Sequence, residues 1–360
     1  MRRTAALIVG GGPAGSAAAI ALARAGVEAE LVERTEGPHD TVCGGFLGWD
    51  ALEALGRLGL DPAALGARPI RRLRLVSSER CIEVALPRTA AGLSRRTLDE
   101  ALLAAARRAG AEVRRGRTVR AADLAERRIR LDDDSEIEGE RLVLATGKHE
   151  LRGAARPVDI STRPLGLRRS LEAGPALAGA LEGVIELHLY DGGYAGLLIQ
   201  EDGRANFCLS ASRDRLKEAG GIEPLVARLG AELPAFGERL RQGEGGEWSA
   251  VSGVPYGWRA SGTVDGVYRV GDQASVIASL AGDGIAIALE SGLAAGQAIA
   301  AGKSSADFQS DWARRARQPI RLAELLRHSA ESRLSRQAMM GLLGWFPSLA
   351  PLAARLTRIG

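Results

Sequence analysis

Lysine is almost absent, occupying only positions 148, 217 and 303 of a 360-residue chain that carries 48 basic side chains. Against 44 acidic residues the formal net charge is only +4, and arginine runs such as RRLR (71–74) and ERRIR (126–130) sit among acids. Aromatics are scarce at 4%, so no basic stripe interleaved with aromatics exists, which excludes nucleic acid as the expected partner. Cysteine occurs three times, at 43, 81 and 208, with no CxxC spacing. An odd, unpatterned set of this kind fits reduced thiols in a cytoplasm and not a disulfide framework. The four histidines (39, 149, 188, 328) lack ligand spacing, so no metal site is expected. Long apolar runs are missing too. The N-terminal AALIV stops at three glycines and a proline, too short for a signal peptide, and no uncharged stretch reaches the length of a membrane-spanning helix. What remains is an ordinary soluble composition, 46% hydrophobic and 26% charged, long enough for two to three domains.

Glycine, by contrast, is abundant and placed. Residues 5–9 predict a buried parallel strand, Gly10, Gly12 and Gly15 form G-x-G-x-x-G, and a small-residue helix over about 14–25 ends at Gly26. A second strand over about 28–32 leads to Glu33. Gly10 permits the tight turn and Gly12 lets the backbone approach a pyrophosphate, while Gly15 brings helix and strand close; Pro13 and Ala14 open the helix whose free N–H groups attract an anion. Glu33 stands where a carboxylate accepts hydrogen bonds from ribose hydroxyls, which suits NAD or FAD better than a 2′-phosphate, and Arg34 follows it.

A second pattern lies far along the chain, in YRVGDQASVIASLAGDGIAIALESG (268–292). An apolar strand ends at Gly271-Asp272, a loop reaches Gly282-Asp283-Gly284-Ile285, and a small-residue helix follows. Asp272 could meet a ribityl or ribose hydroxyl, and the N–H groups near Gly284 and Ile285 would present the positive end of a helix.

The two patterns together resemble the FAD-dependent para-hydroxybenzoate hydroxylase superfamily, most closely its geranylgeranyl reductase-like branch, in which a GDAAG-type strand end is followed by G-E-G-I and a helix with S-G. Here the same spacing reads GDQAS, GDGI and Ser291-Gly292. LSRRTLDEALLAAARRAGAEVRRGRTV (93–119) is similar to the family's Arg-x-x-Leu-Asp helix, strand and valine; the resemblance implies that Arg95 reaches the FAD phosphates and that Val119 lies against the cofactor. LVLATG (142–147) resembles the strand closing the FAD domain, and Cys43-Gly44-Gly45 the Cys-Gly loop near the flavin ring. The chain departs from the family at Ser279, where a proline is usual, and at Gln273, where a second small residue is.

The implied fold is α/β: a Rossmann-like FAD-binding domain (1–70, 92–153 and 262–302) interleaved with an antiparallel-sheet substrate domain (71–91 and 154–261), then a C-terminal helical segment (303–360). Segments 71–86, 184–190, 194–200 and 204–211 alternate as strands, and 213–219 and 222–241 are helical. Residues 307–344 look helical. Leu342, Trp345, Leu349, Leu352, Leu356 and Ile359 then recur at steps of three and four, an amphipathic face that could close the pocket as a lid or touch a membrane peripherally.

No second G-x-G-x-x-G exists, so NAD(P)H would bind only transiently as reductant. Proton donors for a reductase are sought among Cys43, Tyr194 and Tyr256; for Cys43, flavin-contacting packing and a merely small hydrophobe stay open. Pocket strands rich in Leu, Ile and Val suit a hydrophobic isoprenoid or polyketide-like substrate, with Arg168-Arg169 a possible carboxylate clamp. The leading expectation is an FAD-dependent oxidoreductase reducing or dehydrogenating such a substrate. A monooxygenase hydroxylating a phenolic or polyketide compound, and a non-catalytic prenyl-group escort protein of the same fold, are the alternatives.

Overall fold

The computed structural model describes residues 2–159, 161 and 163–359. Its first sheet has seven strands built around Arg2–Val9. Leu7 to Val9 are buried on both faces, which is why this strand reads as a continuous apolar run. It pairs in parallel with Ala29–Val32 (Ile8 opposite Leu31) and with Glu136–Leu144 (Ile8 opposite Val143). Glu112–Arg114 and Val267–Arg269 extend the parallel part, and the antiparallel strands Arg128–Leu131 and Val119–Asp123 finish the far edge.

Two helices of small residues, Pro13–Arg24 and Gly284–Ala300, lie side by side against this sheet. Their composition is a packing requirement. A Cβ on Gly292 would sit 2.1 Å from the carbonyl oxygen of Ala14, and one on Gly296 2.5 Å from the Ala21 Cβ. Gly15 meets the same limit against the strand, where its Cβ would fall 1.9 Å from the Gly10 oxygen. Both patterned segments found in the sequence are therefore locked to each other through backbone contact.

The second sheet has nine strands. Val184–Tyr190, Gly193–Ile199 and Ala205–Ala211 follow one another antiparallel, close to the predicted limits, and Leu165–Ala173, a strand not expected from the sequence, pairs antiparallel with the last of them. The expectation of an antiparallel sheet fails at one seam: Val184–Tyr190 runs parallel to Arg68–Val76. The segment around 71–86 is a hairpin of Arg68–Val76 and Cys81–Gly92, beginning before the boundary drawn at residue 70, and Phe46–Leu47 adds an edge strand from the first domain. Side-chain alternation separates the two faces. Tyr190, Phe207 and Leu197 face helices Pro175–Leu181, Ile222–Glu232 and Pro234–Arg241, the last two divided at Leu233 because proline cannot continue a helix. Ile185, Leu187 and Leu189 face the first domain.

The C-terminal segment forms Ser305–Glu331, Arg333–Trp345 and Leu349–Leu356. The single amphipathic face expected over 342–359 is interrupted at Phe346-Pro347, and Ile359 is buried beside Trp312 instead of sharing a surface with Trp345. Among the described residues no helix is long and apolar enough to cross a membrane.

Candidate functional site

A cavity of about 930 Å³ lies between the two sheets. Gly10, Gly12, Pro13, Ala14, Glu33, Arg34, Arg95 and Val119 line its first-domain side. Cys43, Gly44, Gly271, Asp272, Gly282, Gly284, Ile285 and Tyr256 line it as well, so every site residue expected from the sequence converges there except Gly15, whose place is in the helix–strand contact.

The first-domain end has the chemistry of a dinucleotide cradle. Gly10 adopts φ +106°, and a Cβ there would strike the Ala145 carbonyl oxygen at 2.4 Å. Helix Pro13–Arg24 starts at Gly12 with no side chain capping it, which leaves its first N–H groups for an anion. The guanidinium of Arg95 lies 3.2 Å from where a Gly12 Cβ would stand and forks onto Asp99 at 2.8 and 2.7 Å. Burial works against that charge, but Asp99 and then Cys43 hold it firmly in place. Glu33 accepts from the Gly11 N–H at 2.6 Å and from Thr35 N and Oγ1 at 2.9 and 2.8 Å. Burial raises its pKa, yet these donors prevail and the carboxyl lies below its ordinary range. A charged acid, a cation and an uncapped helix start are the donor set that FAD requires: Glu33 would hold the ribose, and Gly12, Pro13 and Arg95 the pyrophosphate.

At the other end, Gly271 (φ +57°) donates its N–H to Ser291 Oγ at 2.7 Å, turning the chain so that Asp272 faces the cavity. Gln273, the departure from the family pattern, bridges to the carbonyls of Gly147 and His149 at 3.0 and 3.1 Å. The loop then returns through Gly282 (φ +72°) to helix Gly284–Ala300, whose start also lacks a side-chain cap.

The Cys43 loop is gripped from the second sheet. Asn206 Nδ2 donates to the carbonyls of Cys43 and Gly44, and Gly45 (φ +68°) has no room for a side chain beside Gln200. The Gly45 N–H donates to Cys43 Sγ at 3.5 Å, so the thiol serves partly as a turn acceptor. Gly44 faces open cavity, where a Cβ would meet nothing. Cys208 lines the same cavity, and burial pushes its thiol up to about 12.

Lys148, given no role from the sequence, and Ser279, noted there only as a departure, complete the site. Lys148, just past the LVLATG strand, stands 3.9 Å from Asp272 and donates to the Val42 carbonyl at 3.3 Å. Burial would depress its ammonium, but Asp272, then Cys43 and Tyr256, keep it above the ordinary lysine value. Being one of three lysines in an arginine-rich chain was the available signal. Ser279, at the position of the family's proline, gathers two phenols: Tyr256 Oη lies 2.6 Å from its Oγ, and Tyr194 Oη makes a second, closer contact. Burial, then Tyr256, raises the Tyr194 pKa well above that of a free phenol, so it stays protonated. Arg327 stacks over the Tyr256 ring at 5.6 Å.

Arg168 and Arg169 do not form the carboxylate clamp. Arg168 is buried against Asn206 Oδ1 (2.7 Å) and Asp40 (3.2 Å), and Arg169 faces the Gly245 and Gly246 carbonyls.

Comparison with known proteins agrees with this geometry. The family described as FAD binding domain matches residues 3–151. Menaquinone reductase of Mycobacterium tuberculosis is 28% identical over 380 residues, spanning 98% of this chain and 86% of the relative. The Mycolicibacterium smegmatis menaquinone reductase is 28% identical over 342 residues, 85% of this chain and 78% of the relative. Among solved structures, flavin-dependent brominase Bmp2 superposes with a TM-score of 0.80 at 17% identity, covering 99% of this chain and 93% of that one. Pseudomonas aeruginosa PqsL in complex with 2-aminobenzoylacetate does so with a TM-score of 0.71 at 19% identity, covering 95% and 100%. Residues 3–151 are thus similar to an FAD binding domain, and the chain is an FAD-dependent oxidoreductase.

Proposed function

We propose that this oxidoreductase is a reductase: it takes two electrons from NAD(P)H and delivers them, with a proton, to a carbon–carbon double bond or quinone carrying an isoprenoid-like apolar chain. The observation that carries the reading is the cavity's second half. Leu73, Leu75, Leu187, Leu189 and Leu343 make it apolar, and the Tyr194–Ser279–Tyr256 hydroxyls are set into that wall. Similarity along nearly the whole chain to proteins named menaquinone reductase points to the same substrate chemistry.

FAD, when bound, supplies the hydride chemistry. The chain's own part begins with charge. Arg95 and the start of helix Pro13–Arg24 would neutralise the pyrophosphate, and Glu33 would fix the adenosine ribose. The helix starting at Gly284 would favour negative charge where the isoalloxazine is reduced. The apolar strands exclude water and align the substrate's tail. Tyr256 would release the proton that completes reduction, recovering it through Ser279; Tyr194, held protonated, would orient Ser279 or hydrogen-bond a substrate carbonyl. Lys148 lies within electrostatic reach of the Tyr256 phenol, and its positive charge stabilises the anion left behind.

The test is anaerobic. FAD-loaded protein is reduced with NADPH or NADH, then given a short-chain prenylated quinone or alkene. Reoxidation of the flavin with one reduced product formed per NAD(P)H is the expected result. Turnover that waits for oxygen and yields an oxygenated product would overturn it in favour of a monooxygenase.

A further inference from the structure

Helices Arg333–Trp345 and Leu349–Leu356 have two apolar sides. One walls the cavity, through Met339, Leu343, Leu349 and Ala353. The other is bare: Leu334 is 79% exposed, Trp345 82%, Phe346 58% and Leu352 50%. Leu334, Ala338 and Trp345 follow helical spacing along the outer stripe, and all of residues 344–348 are exposed where the chain breaks at Pro347. Leu342 belongs to both sides, half-exposed and lining the cavity, so the bare surface is continuous with the chamber wall.

Charge indicates the occupant. No acidic residue follows Glu331, whereas Arg333 and Arg355 flank the apolar surface and stand exposed. Arg80, in the neighbouring hairpin turn, approaches Gly341 and Gly344. Two acids meet helix Arg333–Trp345 and both are engaged: Glu79 by Gln337 at 2.8 Å with Arg333 at 3.9 Å, and Asp191 by Arg336 at 2.8 Å. An exposed Trp and Phe among leucines, rimmed by arginines, matches the layering of a bilayer surface: aromatic rings at the headgroup boundary, guanidinium groups on phosphates. We infer that this helical pair docks the protein on an anionic lipid bilayer, with the Leu342 seam over the acyl chains as the substrate's way into the cavity. The docking rests on the surface alone; only its use as an entrance rests on the reductase reading.

The experiment is flotation of the full-length, FAD-loaded chain with phosphatidylcholine vesicles, with and without phosphatidylglycerol. The wild type should rise with the phosphatidylglycerol vesicles and be released by high salt. The double variant Trp345→Ser, Phe346→Ser should lose partitioning by about tenfold or more while keeping its flavin absorbance and circular dichroism. Neither residue lines the cavity, so hydride transfer to a short-chain soluble acceptor should be unchanged, and failure of that assay would tell against the reductase reading and leave the docking intact. Protein remaining at the bottom of both gradients, or a variant that floats as well as wild type, overturns the inference. So does a dimer in light scattering that the same variant dissociates, because the face would then be covered by a second copy.

Discussion

Asn206, on the central part of the second sheet, donates its amide nitrogen to the carbonyl oxygens of Cys43 and Gly44 at 3.0 and 2.8 Å. Arg168 fixes the amide's orientation by donating to Oδ1 at 2.7 Å. The loop carrying Cys43 is thus positioned by the substrate sheet and not by its own domain alone. Asn206→Ala leaves buried acceptors and the Arg168 guanidinium without this partner, and should cost about 2–4 kcal/mol of stability. Urea denaturation measures it. A midpoint equal to the wild type's would mean the loop holds its shape unaided.

Ser279 gives the phenols of Tyr194 and Tyr256 a common partner. Tyr256→Phe removes the proposed proton donor but keeps the ring under Arg327, so kcat should fall by the order of 10²-fold with FAD content and KM little changed. Tyr194→Phe should fall less, since burial holds that phenol protonated. Steady-state rates with a soluble acceptor decide the matter; a Tyr256→Phe rate within about twofold of wild type would leave the phenol a packing role.

The sequence was most informative where backbone geometry dictates residue type. Gly10, Gly15 and Gly292 are legible because no side chain fits their contacts, and the order of the two glycine patterns then implied the cofactor. Alternation found the strands Val184–Tyr190 and Ala205–Ala211, but a period of two carries no strand direction, so the parallel seam with Arg68–Val76 went unseen. Asn206 and Lys148 drew no site role for another reason: their importance comes from partners 163 and 106 residues away in the chain, and the rarity of lysine was the one signal for Lys148. The helical face over 342–359 failed on local chemistry, since Pro347 divides the spacing that the apolar residues alone suggested.

Glu186 makes the fold's acid limit predictable. It is almost fully buried and receives His188 at 2.8 Å, Arg239 at 2.9 Å and Arg74 at 2.6 Å. Burial raises its pKa, but these partners outweigh it and the folded carboxyl lies at about 2, against an ordinary 4.5. A depressed pKa means the contribution is complete above about pH 4.5 and drains away as pH falls toward 2; the shift corresponds to about 3 kcal/mol. Glu186→Gln should therefore lower stability by that order at pH 7 and by much less at pH 3. Denaturation midpoints at the two pH values check it, and an equal loss at both would show that the ion network contributes little.

Arg358 ties the chain's end to the glycine loop at the cavity. Its guanidinium contacts Asp283, lies 3.7 Å from Asp50 and stacks over the Trp49 ring at 4.4 Å. Asp283 is fully enclosed, and its pKa is raised by burial, with Asp50 adding to the effect against the pull of Arg358. Burial thus favours the neutral acid at Asp283, while the Arg358 contact opposes it. Two substitutions should then differ sharply in cost. If the neutral form prevails, Asp283→Asn keeps a neutral group that can still donate to Asp50, and should cost less than about 1 kcal/mol. Arg358→Ala strips the cation from Asp50, opens space beside Trp49 and should cost about 3–5 kcal/mol. It should also loosen the C-terminal helices, seen as faster limited proteolysis between 332 and 348, with Arg358→Lys recovering only part because an ammonium cannot stack as a guanidinium does. Comparable losses in Asp283→Asn and Arg358→Ala would place the proton elsewhere and make Asp283 an ionised partner of Arg358.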